Sequence, residues 1–382
     1  MKIANIEDLR VAARRRVPRI FFDYLDGGAF SETTMHANIA DFDKVHLEQR
    51  VLVNIEKRNL ATRFLGSDYA MPLMLAPTGF AGMLAHRGEV QAGRAAKAAG
   101  IPLCLSTTSI CSMEEVRRDS DVDFHFQLYV FKDRGLAELM LERAVKAQAK
   151  SLFVTVDATI GGRREKDLRN GFMTSRRPTP GALLDMMTRV RWGLDMLRGP
   201  WPLFGNFTDV PGAGKDIMAQ ALFVGRQLDP TLTWADLAWM RKHWKGPMVI
   251  KGILSVEDAQ RAVDQGADGI VVSNHGGRQL DGARSSIAVL PEIAKAVGHK
   301  TEVLFDGGIR RGSHIVKALA LGARACLIGR TYLYGLGAGG QAGVTRALDL
   351  LRFEMDVTMA LMGVTDVDQL RDDGARYIRN AA

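Results

Sequence analysis

The chain reads as an α/β protein: a TIM (β/α)8 barrel with an N-terminal helical extension and a long insertion after strand four. Three observations predict this. From residue 72 onward a short, β-rich apolar run ending in a polar residue or glycine recurs eight times, mostly with a helical stretch behind it. The runs are apolar almost throughout, as strands buried on both faces of a parallel sheet are. No GxGxxG turn follows the first run, where a doubly wound open sheet would more often carry one.

Taken in order, residues 1–71 form the extension, helical at its start and containing Tyr24-Leu25-Asp26-Gly27-Gly28. Residues 72–382 form the barrel. Its strands are expected at Leu73–Thr78, Leu103–Ser106, Phe124–Val130, Ser151–Asp157, Met248–Gly252, Gly269–His275, Val303–Gly307 and Ala325–Gly329. Helices are expected at Gly88–Ala99, Gly135–Ala149, Val256–Gln265, Ser286–Val297 and Gly312–Leu321, with Gly100, Gly266 and Gly322 placed as C-terminal caps.

Strands four and five are joined by a long connection, roughly 158–247, holding an insertion at 172–232. Loops of such length are seldom without a function. Within it, Pro178–Leu203 reads as one amphipathic helix. Leu183, Met187, Val190, Leu194 and Leu197 recur at near-helical spacing, with Arg189, Arg191 and Arg198 among them and Arg176 and Arg177 ahead. Trp192 and Trp201 add interfacial character. Such a helix suits an anionic membrane surface; covering the barrel or a subunit contact is the equal alternative. Gly214-Lys215 resembles a phosphate-binding loop, but Asp209 stands at the leading glycine position and Asp216 replaces the magnesium-binding hydroxyl.

Composition narrows the function classes. Hydrophobic residues make up 47% of the 382 positions, enough for a sizeable core and too many for a disordered chain. The net charge of +8 favours an anionic partner. Nucleic acid ranks last, because no nucleic-acid-binding module accompanies the charge. Cys104, Cys111 and Cys326 show no ligand spacing; they read as core residues in a reducing compartment, and no metal is expected. The first residues lack a signal peptide's apolar core, and no run approaches the roughly 20 apolar residues of a membrane span. A cytoplasmic protein follows.

In a barrel of this type chemistry gathers where the strands end. The expected termini deliver Pro77, Thr78 and Gly79; Ser106; Gln127 and Tyr129; Thr155 and Asp157, with Arg164 beyond; Lys251; Ser273 and His275, then Arg278 and Asp281; Asp306, Gly308 and Arg310; Gly329 and Arg330. Taken singly, such residues more often cap a helix or satisfy a loop carbonyl. Their convergence on one rim is what argues for a site, since buried charge is unfavourable unless paired or used. The turn after strand six combines a titratable base (His275), an anion fork (Arg278) and a carboxylate able to hold the base (Asp281). The last two turns, Asp306-Gly307-Gly308-Ile309-Arg310 and Gly329-Arg330, read as a phosphate cradle of small residues, helix N-termini and guanidinium groups.

The run Ser273-Asn274-His275-Gly276-Gly277-Arg278-Gln279-Leu280-Asp281 closely resembles the FMN-dependent L-2-hydroxy-acid oxidase and dehydrogenase family, and the resemblance extends from Tyr24 to Arg330. Among its branches, the membrane-associated bacterial L-lactate and mandelate dehydrogenases are the most similar. The resemblance implies FMN as cofactor. It implies Pro77, Thr78 and Gly79 along the flavin ring, Ser106, Gln127 and Thr155 at its edge, and Lys251 beside N1 and O2. Asp306, Gly308, Arg310, Gly329 and Arg330 would hold the ribityl phosphate; Ser273, below the base, is a weaker candidate for cofactor contact. Tyr24, Tyr129, Arg164 and Arg278 would bind the substrate, with His275 as base and Asp157 oriented toward it.

The chemistry agrees. A 2-hydroxy acid offers a carboxylate to two arginines, a proton to a base of near-neutral pKa, and negative charge for a lysine to offset on the cofactor. Gly79 is more like the dehydrogenases than the oxidases, so quinone is the expected acceptor, reached from a peripheral position on the cytoplasmic face of the inner membrane. Small residues at Thr108 and Gly161 leave room for more than glycolate. L-Lactate is the first expectation and L-mandelate the second; a homotetramer is implied by the resemblance.

Overall fold

The computed structural model describes residues 2–172, 179–199 and 201–380. Eight parallel strands close into a barrel: β1 (Leu73–Leu75), β2 (Leu103–Ser106), β3 (Phe124–Tyr129), β4 (Leu152–Thr155), β5 (Met248–Ile253), β6 (Gly269–Val272), β7 (Glu302–Asp306) and β8 (Ala325–Ile328). Neighbours follow chain order, and β8 pairs with β1. Met74, Cys104, Phe153, Val249, Val271, Leu304 and Leu327 fill the interior, so the barrel is a packed core and not a pore. A hairpin of Thr62–Phe64 and Ser67–Tyr69 plugs the end where the strands begin, with the Phe64 and Tyr69 rings 4.6 Å apart.

Most strands stop sooner than expected, although β2 ends at Ser106 as expected and β5 runs one residue further, to Ile253. β1 ends at Leu75 instead of Thr78, and β6 at Val272 instead of His275. The reason at β6 is conformational: His275, Gly276 and Gly277 have φ of 57°, 67° and 72°, a left-handed sequence that cannot continue a ladder. The ends of the strands are therefore where the backbone leaves the sheet and releases side chains into the mouth.

The extension contributes helices Ile6–Arg16, Arg19–Asp26 and Thr33–Ala40. Ile6–Arg16 packs on the helical segment Arg330–Leu361, which is two helices joined by a kink at Gly339 and Gly340, and Arg10 reaches across to Asp26 at 2.7 Å. The other two lie over the barrel mouth.

The single helix expected over Pro178–Leu203 is two, Pro180–Thr188 and Val190–Met196; Arg176 and Arg177 lie outside the described residues. The break falls at Arg189 (φ −90°, ψ 57°), whose guanidinium bonds Asp185 at 2.7 Å and the Arg15 carbonyl at 2.7 Å. Trp192 is not interfacial. It is buried, its indole N–H donates to the Met83 carbonyl at 2.8 Å, and its ring lies 5.5 Å from Phe21. Asp195 pairs with Arg16 at 2.8 Å. These contacts moor the insertion and turn Leu183, Met187, Val190, Leu194 and Leu197 to solvent together with Trp201. No helix among the described residues is long and apolar enough to cross a membrane. Asp216 caps the helix Ile217–Gln227 through the N–H groups of Met218 and Ala219, a local job consistent with rejecting a phosphate loop.

Two histidines are buried as neutral rings. His125 sits at the barrel plug with Nδ1 2.6 Å from Ser151 Oγ, and burial lowers its pKa to about 3. His314 stacks on Phe42 at 4.1 Å and is lowered, again by burial, to about 4. Unfolding lets both regain a pKa near 6.5, so the unfolded chain binds more protons below that pH and stability falls as pH drops through the window toward 4. Each contributes up to ~1.4 kcal/mol per pH unit. Urea unfolding between pH 7 and 4.5 should lose stability more steeply for the wild type than for His125→Gln, by up to one proton's worth of slope. Equal slopes would show that His125 is not held neutral. The comparison removes carboxyl groups that titrate in the same range.

Candidate active site

β4, β5 and β6 bring three charged groups into register. Lys251 is buried on β5 with its Nζ 2.8 Å from Asp306 Oδ2 and 2.9 Å from Ser273 Oγ. Burial opposes its charge, but the adjoining Asp306 outweighs that and holds its pKa above the usual lysine range. Ser273 Oγ also accepts the His275 N–H at 3.0 Å, so one hydroxyl ties the lysine to the turn that carries the imidazole. Asp157 Oδ1 lies 2.9 Å from His275 Nδ1. Burial pushes this carboxyl up, yet the His275 ring beside it leaves it below the ordinary value. With Nδ1–H donated to a carboxylate, Nε2 is the ring nitrogen free to accept a proton. It faces the Tyr129 hydroxyl at 3.5 Å, and burial raises that phenol so that it stays protonated.

The sequence gives Asp281 as a group to hold the base; the structure assigns that contact to Asp157. Asp281 lies beyond the left-handed turn and instead accepts the Ser31 and Thr34 N–H groups at 3.0 and 2.9 Å, capping the Thr33–Ala40 helix.

Two cations gather at the Tyr24 ring. The Arg278 and Arg164 guanidinium groups lie 4.7 and 5.5 Å from the Tyr24 ring. Burial and the neighbouring Arg164 both lower the Arg278 pKa, the signature of like charges held close together. Arg164 has a carboxylate behind it, Asp167 at 2.6 Å, while Arg278 Nη1 is fixed by the Tyr24 and Gly27 carbonyls at 2.6 and 2.9 Å. An anion is what this pair lacks on its open side.

His275, Lys251 and Arg278 border a cleft with about 950 Å³ of empty space, its open mouth included. Pro77, Thr78, Gly79, Gln127, Thr155, Lys251, Asp306, Gly308, Arg310, Gly329 and Arg330 line it, together with Tyr24, Tyr129, His275 and Arg278. Ser106 stands behind the wall, donating to Gln127 Oε1 at 3.2 Å. Arg330 serves the fold as well as the cleft: it bonds the carbonyls of Leu25, Gly27 and Gly276 at 3.1, 2.7 and 2.8 Å, and burial lowers its pKa to about 10. Sequence reasoning assigned no role to Leu25, Gly276, Ile309 and Leu333, which also line the cleft. Mostly apolar, they carry no chemical signal in the sequence. Tyr332 was also missed; its hydroxyl bonds Thr78 Oγ1 from below.

The lining fits a polar, planar, phosphate-bearing cofactor. Gln127 Nε2 and Asp306 Oδ1 are buried on this wall without a partner among the described residues, a costly arrangement unless a ligand completes it. The turn at Gly307 and Gly308 has φ of 114° and 79°, and Arg310 flanks it, which suits close backbone approach to a phosphate.

Comparison with known proteins points the same way. An L-lactate dehydrogenase of Caulobacter vibrioides is 47% identical over 373 residues, covering 97% of each chain, and one of Pseudomonas syringae pv. syringae is 47% identical over 372, again covering 97% of each. The crystal structure of the monotopic membrane protein (S)-mandelate dehydrogenase superposes with a TM-score of 0.94 at 40% identity over the whole of both chains, and that of a mandelate oxidase with 0.85 at 36%, likewise over both. The model of one family, described as FMN-dependent dehydrogenase, matches residues 13–377. With a cleft whose orphaned polar groups await such a cofactor, and a match over nearly its whole length, the chain belongs to the FMN-dependent dehydrogenase family.

Proposed function

We propose that this enzyme oxidises L-lactate to pyruvate and passes the electrons to a membrane quinone. The observation that carries the reaction is one cleft lined by His275, Tyr24 and Arg278, with Asp157 on the His275 ring and Arg164 beside Arg278 at the Tyr24 ring, both outside the lining itself. The substrate carboxylate would sit on the two guanidinium groups, steadied by Tyr24 and Tyr129. His275 Nε2 then takes a substrate proton, and Asp157 stabilises the imidazolium that results. Bound FMN supplies a reducible ring that accepts two electrons. Pro77, Thr78 and Gly79 would lie along that ring, with Gln127, Thr155 and, from behind, Ser106 at its edge. Lys251, held by Ser273 and Asp306, places positive charge beside it. Gly308, Arg310, Gly329 and Arg330 would cradle the phosphate, and the free oxygen of Asp306 would accept from a hydroxyl of the ribityl chain.

L-Lactate is favoured by the 47% identity to L-lactate dehydrogenases. A second reading, L-mandelate, is favoured by the small wall residue Thr108 and by the 40% identity to an (S)-mandelate dehydrogenase; Gly161 is exposed and lies outside the cleft lining. Anaerobic mixing separates them. L-Lactate should bleach the flavin with a higher kcat/KM than L-mandelate; the reverse order selects the second reading. In either case His275→Gln should retain its yellow colour and slow bleaching by ~10²–10⁴-fold. Bleaching at the original rate would remove His275 from the role of base.

We also propose a peripheral site on the cytoplasmic face of the inner membrane. What supports it is the exposed apolar face from Leu183 to Leu197, flanked by the exposed Arg191 and Arg198, and the 40% identity to a monotopic membrane protein. Self-association, a homotetramer by resemblance, is proposed through the second exposed apolar stripe, Phe353, Val357 and Leu361. The holoenzyme should co-sediment with vesicles containing phosphatidylglycerol. Leu194→Glu combined with Leu197→Glu should weaken that binding by ~10-fold or more while leaving lactate turnover with a soluble dye unchanged. Faster reduction of oxygen than of a quinone analogue would refute the quinone assignment.

A further inference from the structure

A buried polar contact beside the cleft has no part in the roles above. Asn38, on the Thr33–Ala40 helix, and Asn274, next to His275, are 2% and 4% exposed. Each amide donates to the other: Asn38 Nδ2 to Asn274 Oδ1 at 2.8 Å, and Asn274 Nδ2 to Asn38 Oδ1 at 2.8 Å. Asn274 Oδ1 also accepts the Gly277 N–H at 3.1 Å, and its Nδ2 donates to the Arg284 carbonyl at 3.2 Å. Asn38 Oδ1 takes the Ser286 N–H at 3.1 Å.

The Gly277 N–H is shared between the Asn274 side-chain oxygen and the Asn274 main-chain carbonyl, at 3.1 and 3.0 Å, so side chain and backbone of Asn274 together close the left-handed turn over His275 and Gly276. His275 is the one residue of that turn that is not glycine, and a side-chain-bearing residue keeps such a conformation only when its surroundings hold it. Asn38 also presses on the turn after β7: a Cβ at Gly308 would stand 1.8 Å from the Asn38 carbonyl oxygen. One residue of the extension thus bears on the turn carrying the imidazole and on the glycine turn across the cleft.

We propose that Asn38 is a positioning residue for His275, acting through Asn274; this rests on His275 being the base in lactate oxidation. The argument is directional. Gly277 and Arg284 fix Asn274 with its oxygen as acceptor, so only a donor at residue 38 completes the pair. A carboxylate there would set acceptor against acceptor.

The test uses flavin-loaded wild type, Asn38→Ala and Asn38→Asp, with Asp41→Asn as a control. Asp41 joins the same segment to Ser285 and Lys44 but does not touch the base turn. Propionate, which needs the two arginines and not the base, is titrated by its effect on the flavin spectrum. Both Asn38 variants should bind flavin and propionate within ~2-fold of wild type and lose ~10–100-fold in the bleaching rate at saturating L-lactate. The pH of half-maximal rate should also shift. Asn38→Asp should be no better than Asn38→Ala, although it is nearly isosteric. Asp41→Asn should lower Tm alone.

Bleaching at the wild-type rate and pH in the Asn38 variants, or propionate affinity lost in parallel with it, reduces Asn38 to a structural contact and overturns the proposal. If Asn38→Ala fails to fold, Asn38→Asp decides by the same measures; failure of both to fold also overturns it. Wild-type enzyme that L-lactate does not bleach sinks the activity reading itself, and this proposal with it.

Discussion

The site depends on a reversal of backbone handedness just after β6. Three consecutive residues, His275 to Gly277, turn left-handed, and the imidazole is thrown back over the barrel mouth instead of continuing along the sheet. L-residues avoid that region by roughly 1–2 kcal/mol. The fold supplies the compensation from several directions: Ser273 Oγ on the His275 N–H, Asn274 on Gly277, and Arg330 on the Gly276 carbonyl. The Ala29 N–H reaches the Gly277 carbonyl at 2.8 Å. The turn is held by β6, by the helix after β8 and by the extension together.

That arrangement explains why charges of both signs coexist in a mostly buried cleft. Each buried group already has a partner that sets its form. Asp157 is kept ionised by His275, Lys251 by Asp306, and Tyr129 is kept protonated by burial. The exception is Arg278: Arg164 has Asp167 behind it, whereas Arg278 is bonded only by neutral carbonyls and keeps the repulsion of Arg164. An anion reaching Arg278 would relieve that repulsion.

Much of this was legible in the sequence because barrel physics is local. Apolar runs of strand length, glycines at helix ends and polar residues at run ends each report one element, and their order reports the closure. The residues of the site were visible for the same reason, since strands deliver them in sequence. What was hidden depends on contacts between distant segments. Nothing near Asp281 reveals that its carboxylate caps a helix some 250 residues earlier, and nothing near Arg189 reveals the Arg15 carbonyl that helps break the helix there. Trp192 looked interfacial because its neighbours are apolar and basic, yet Met83 and Phe21 claim it. The limit of β6 was overrun because the polar residues Ser273 to His275 were read as the strand's end, whereas the ladder stops at Val272 and the backbone turns left-handed at His275.

The anchoring of the insertion has a practical corollary. Trp192 packs against Phe21, which shares the Arg19–Asp26 helix with Tyr24, while Asp195 grips Arg16 and the His86 N–H. Excising the loop to obtain a better-behaved protein would therefore strip the cover from the helix that presents Tyr24 to the cleft. Repainting its outer leucines with polar side chains, and keeping the tryptophan and aspartate underneath, preserves the scaffold while removing the stickiness.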